Sequence, residues 1–166
     1  MHPEPSASPF PVSPGAGQKH ALLYFTHVFN ERHFKKFKAL QQAFVRHGDT
    51  FTLYFSESGE LTAPSAFHAH GTDRLSLCTL NYPWMHNKLM PGHANYPLMH
   101  FARHHPSYKS YTVVEYDVEL TGSWEVFFDH CMRDDADFLA SHIADQYEQP
   151  DWYFWNTVCL PAEREG

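Results

Sequence analysis

The chain is poor in cysteine and in clustered positive charge, and it has no long apolar run. Its three cysteines, Cys78, Cys131 and Cys159, are odd in number and far apart. They form neither a disulfide framework nor a zinc-ligand spacing, which points to a reducing compartment. No apolar run approaches the roughly 20 residues needed to span a bilayer, and the first residues lack the charged and apolar regions of a secretory signal. The expectation is a cytoplasmic protein without a transmembrane segment. A formal net charge of -7, with 14 histidines counted as neutral, argues against a nucleic-acid partner, because phosphate backbones are bound by clustered Lys and Arg that displace counterions. Lys35, Lys36 and Lys38 form the densest basic run and suit the solvated side of an amphipathic helix. Gly-rich dinucleotide motifs, a P-loop and a nucleophilic Ser elbow are all missing.

What is present has the size and rhythm of one domain. At 166 residues the chain can bury a real core but is short for two independent units. Residues 1–19 carry five of the 12 prolines among Ser, Ala and Gly. Such a composition buries too little apolar surface to order itself and reads as a disordered tail. Residues 20–158 read as an α/β domain, and residues 159–166 as a second tail.

Within the domain, residues 21–28 form a near-continuous apolar run of strand length, as in a strand covered on both faces. Asn30 then stands as a helix cap with Phe29 and Phe34 at the staple positions. Phe34, Phe37, Leu40 and Phe44 recur at helical spacing until Gly48. Residues 50–56 follow as a second strand, completing a βαβ unit with a right-handed crossover. The stretch 57–74 is polar, with Gly, Pro and two spaced histidines, and reads as a connection; 75–80 offers a short third strand, and 81–96 a long loop. A helix begins near Pro97 and is stopped by Pro106. Residues 110–118 read as the next strand. Ser123 caps a helix whose Trp124, Phe127, Phe128 and Cys131 share one face, and 136–141 reads as a final strand. This alternation predicts a three-layer, doubly wound and mostly parallel sheet.

In such sheets ligands bind beyond the carboxyl ends of the strands. The candidates there are Thr26 and His27 after the first strand, Glu57 after the second, and the Glu115-Tyr116-Asp117 triplet. In extended chain Glu115 and Asp117 would leave the same face and together suit a hard cation. Their alternative role is to cap the turn before Gly122 or to pair with a nearby base. His100 and His104, at i and i+4 on a helix, suit zinc, but the hydrolase Glu is missing and the sequence shows no third ligand. Asp134, Asp135 and Asp137 lie between two elements, where acidic residues usually face solvent.

The run 108–124, the Asp135-Ala-Asp137 segment and the aromatic Trp152-Tyr-Phe-Trp155 together resemble a little-characterised glycosyltransferase-like family of the GT-A, nucleotide-diphospho-sugar transferase fold, over roughly residues 21–155. The resemblance implies a Rossmann-like domain that holds a nucleoside-diphosphate sugar through manganese or magnesium and transfers the sugar to an unknown acceptor. Glu115-Tyr116-Asp117 matches the Asp-x-Asp metal triplet, with Glu in place of its first Asp. Asp117 is then the first choice of metal ligand and Glu115 a second ligand or ribose contact. Thr26, His27 and Asn30 would border the nucleotide, Glu57 its base or ribose, and the loop around Asn95 its phosphates. The short stretch after Asp117 leaves little room for an acceptor half. Two further readings follow: a truncated, non-catalytic nucleotide-binding or interaction module whose aromatic C-terminal patch meets a partner or a second copy, and a His-rich metal-binding protein.

Overall fold

A computed structural model of the chain describes residues 19–60, 62–80, 95–134, 136–140 and 147–151. The predicted tails and the Trp152–Trp155 patch lie outside them. The chain divides into two compact units, Met1–Met132 and Arg133–Gly166.

The first unit is built around strand β1 (His20–Phe25). β1 pairs in parallel with β2 (Gly48–Ser56) on one side and β4 (Tyr111–Glu115) on the other, while β3 (Ala69–Asp73) adds in parallel to the outer side of β2. The order β3-β2-β1-β4 makes a four-stranded parallel sheet of Rossmann-like layout, flanked by helices as the alternating pattern requires. Because side chains alternate along a strand, Leu22 and Tyr24 enter one core with Phe37, Leu40 and Phe44 of helix α1 (Glu31–Phe44) and Phe128 of helix α4 (Trp124–Arg133). Ala21 and Leu23 enter the opposite core with Phe51, Leu53 and Phe101, the last from helix α3 (Asn95–His104).

The start of α1 forms as its sequence suggests. The Asn30 side chain accepts a hydrogen bond from the His33 amide at 3.0 Å, satisfying one of the orphan donors of a helix N-terminus. Phe29 and Phe34 both press edge-on against Phe67, at centroid distances of 5.1 and 5.3 Å, so a third ring joins the staple.

Three expected strands differ from the fold. Residues 75–80 form no strand: helix α2 (Arg74–Cys78) stands there, nucleated by a reciprocal capping box between Asp73 and Ser76 that outweighs the alternating leucines. The third strand lies instead in the polar stretch before it, where Ala69–Asp73 is held by β2 rather than by its own propensity. β4 ends at Glu115, because the Val118 amide turns back to the Glu115 carbonyl at 3.2 Å. In the second unit, the described part of the expected 136–141 strand, residues 136–140, is exposed and not extended into a ladder; the Ala136 amide donates to the Asp134 carboxylate at 2.9 Å in a local turn.

Gly48 sits where β2 meets β1 so closely that a Cβ would lie 1.8 Å from the His20 carbonyl oxygen. Gly48→Ala is expected to cost about 1–3 kcal/mol through overpacking. Gly122→Ala, where a Cβ would meet nothing within 4 Å, should leave the urea midpoint almost unchanged.

Candidate functional site

Two groups of side chains can carry chemistry: the expected strand-end residues, and a histidine group of which the sequence shows the His100–His104 pair. At the carboxyl ends of β1 and β4 the fold gathers part of the expected nucleotide site. Glu115 stands opposite Phe25 in the β1–β4 register, and the Tyr116 amide donates to the Phe25 carbonyl at 2.9 Å. The His27 and His33 rings meet Tyr116 edge-on at 4.8 and 5.5 Å, and His33 Nδ1 pairs with the Tyr24 hydroxyl at 2.9 Å. Burial pushes that phenol up to about 12, so it stays protonated at any ordinary pH.

The remaining expected residues hold more ordinary positions. Thr26 is buried and bonds through Oγ1 to the Val28 backbone, and Asn30 is committed to its cap. Glu57 is exposed beyond β2, and Asn95 opens α3 on the opposite face of the sheet from α1. Glu115 and Asp117 are both exposed, but the turn between them removes the extended geometry that would set their carboxylates on one face. The loop beyond that turn is tied down by Lys36, whose ammonium reaches the carbonyls of Tyr116 and Val118 and lies 3.4 Å from the Glu119 carboxylate.

The second group is built from histidines on β3 and α3. On β3 the two-residue period turns Gly71 toward the Tyr54 ring, where a Cβ would lie 2.6 Å from it. His70 faces the α3 side, with its ring 5.1 Å from Phe101. On α3, His100 and His104 lie one turn apart with rings 4.2 Å from each other. His70 Nε2 and His100 Nδ1 are 3.0 Å apart, and one donor nitrogen from each of the three residues lies within 4.8 Å of the others. His105 adds a fourth ring 5.5 Å from His70 and stacks on Phe101 at 4.3 Å.

The protonation chemistry of this group suits a metal. Burial and the neighbouring His100, His105 and His104 hold His70 down at about 4, and burial lowers His100 and His105 as well. His70, His100 and His105 are therefore neutral near pH 7, the form that donates to a cation. His104 Nδ1 contacts the His100 carbonyl at 2.8 Å. A carbonyl only accepts, so Nδ1 carries the proton and Nε2 keeps its lone pair. Zinc–nitrogen bonds of about 2.0–2.1 Å in a tetrahedron place donor nitrogens roughly 3.3 Å apart. The His70–His100 separation is already close to that, and His104 completes the group at the surface.

His100 and His104 were visible in the sequence as a helical pair, whereas the third donor was hidden. The signal for His70 was its alternation with His68, read as part of a polar connection because Gly and Pro surround it. The remaining loop residues expected near Asn95, Gly92 to Ala94, lie outside the described residues, as does Asp135. Asp134 and Asp137 are exposed. Among the described residues no helix is long and apolar enough to cross a membrane. No family model, curated protein or solved structure matches the chain.

The lowered histidines set a pH dependence. A group that binds its proton less readily folded than unfolded leaves stability unaffected above its unfolded value of 6.5 and removes it as pH falls toward the folded value. Stability of the metal-free protein should therefore decline from pH 6.5 down to about 4, driven first by His70. His70→Gln is expected to flatten that decline in urea unfolding curves taken across the window.

Proposed function

We propose that the protein binds a divalent transition metal, zinc being the first choice, through His70, His100 and His104. The observation that carries this reading is the convergence of three imidazole donors from two different elements within one coordination sphere's reach. Imidazole suits zinc, copper and nickel, while magnesium and manganese prefer carboxylate and carbonyl oxygen, so the donor set selects the borderline metals. The ion would replace the His70–His100 hydrogen bond and clamp the edge strand β3 to α3. Zinc titrated into metal-free protein should bind one equivalent and raise the unfolding temperature. A free concentration 100 times the dissociation constant corresponds to about 2.7 kcal/mol. His100→Ala and His104→Ala should each abolish the shift, and Asp117→Ala should leave it intact; a shift that survives both histidine changes would sink the assignment.

A second reading is favoured by the strand order. β2 and β3 lie to one side of β1 and β4 to the other, so the chain reverses direction across the sheet between β1 and β4. Ligands of open parallel sheets enter at such a reversal. Under this reading the Glu115-Tyr116-Asp117 segment, with Thr26, His27 and Asn30 beside it, holds the diphosphate of a nucleotide sugar with manganese or magnesium, as the GT-A resemblance implies. Two carboxylates completed by substrate phosphates are an ordinary donor set for these ions, and the ion would stabilise a departing diphosphate on transfer of the sugar to an acceptor. Calorimetric titration of uridine or guanosine diphosphate tests it: manganese should strengthen binding to the wild type and have no such effect on Asp117→Ala.

A further inference from the structure

We infer that the metal held by His70, His100 and His104 keeps one coordination position for an exchangeable anionic ligand, a carboxylate or other small oxyanion from solution. The inference rests on the metal-binding reading and concerns the side of the ion that the described residues leave uncovered. Among the described residues only three donors converge, whereas zinc in a closed structural site takes four protein ligands and in an open one takes three.

The three donors are unequally covered. His100 is 7 % exposed and His70 is half-buried, while His104 lies at the surface. The ion would thus be anchored from below by His100 and from the sheet by His70, and solvent would reach it past His104. Among the described residues, two charged side chains near the group are engaged elsewhere. Arg103, on the intervening turn of α3, is directed to the Thr79 carbonyl at 3.0 Å. The Asp73 carboxylate accepts from the Ser76 amide at 2.7 Å in the capping box of α2.

Charge then selects the ligand. An imidazole ligand brings no negative charge of its own, so a divalent ion held by three of them keeps both positive charges within its donor set; the Asp73 carboxylate acts on His100 only from outside that set. A cation held by uncharged ligands at a half-buried site favours an anion in its remaining position over a neutral donor. His105 stands beside the group, its ring 5.5 Å from that of His70 and stacked on Phe101.

Cobalt substitution reads both the metal and its open position, because the visible absorption of cobalt reports coordination geometry and ligand exchange directly. Full-length protein loaded with one equivalent of cobalt should show ligand-field bands that shift saturably on addition of azide, and again with acetate, at constant ionic strength. His104→Gln should lose the ligand-field bands and the anion response together, with circular dichroism used to confirm that the variant is folded. Bands that form on cobalt addition but ignore both anions would overturn the open position and leave the metal site standing. If no such bands form in the wild type, the metal-binding reading fails, and the open position with it.

Discussion

Burial of β1 on both faces is the constraint from which the described architecture of the first unit follows. Residues Ala21, Leu22, Leu23 and Tyr24 are completely buried, and a strand so covered needs a neighbour on each edge and a helix layer on each face. β2 and β4 supply the edges, α1 and α4 one layer, α3 the other. The Tyr24 hydroxyl is the single polar atom carried by those four side chains, and it is satisfied by His33. Removing apolar area from water at about 25 cal/mol per Å² rewards this arrangement only while the two layers stay in register with the alternation of β1.

That constraint also decides where chemistry can occur. Side chains on β1 itself are consumed by the cores, so reactive groups appear where the sheet stops: at the ends of the strands and on the edge strand β3. His70 belongs to the edge, and it meets α3 because α3 must cover Phe51 and Leu53. Packing therefore delivers the histidines of α3 to β3; no feature of the helix alone would do so.

What could be read from the sequence divides along the same line. Strands and helices stabilised by their own pattern, such as β1, β2 and the capped helix α1, were legible because hydrophobic periodicity and capping are local signals. β3 was not, since Ala69–Asp73 contains a Gly and three polar residues and is extended only because β2 offers it a ladder. The leucines at 75, 77 and 80 misled for the converse reason: a capping box spanning Asp73 and Ser76 commits the chain to a helical turn and leaves Leu75 facing solvent at 80 % exposure. Of the candidate residues, the pairing of His100 with His104 was a matter of helical spacing, while their meeting with His70 is a tertiary contact between strand and helix that no spacing encodes. The carboxylates at 115 and 117 show the opposite failure, in which a correct strand is read three residues past its end at Glu115, into the turn.

The hydrogen bond from β3 to α3 joins residues 30 apart in the chain, so the two histidines close the covalent segment between them, α2 included. Closing a flexible loop costs entropy that grows only as the logarithm of its length, about 0.6 kcal/mol for each doubling. Insertions or deletions between the two anchors would therefore perturb the donor group far less than a one-residue slip in β3, which would turn His70 to the other face of the sheet. Related chains would be expected to tolerate variation in the length of that loop while holding the register of a five-residue strand fixed.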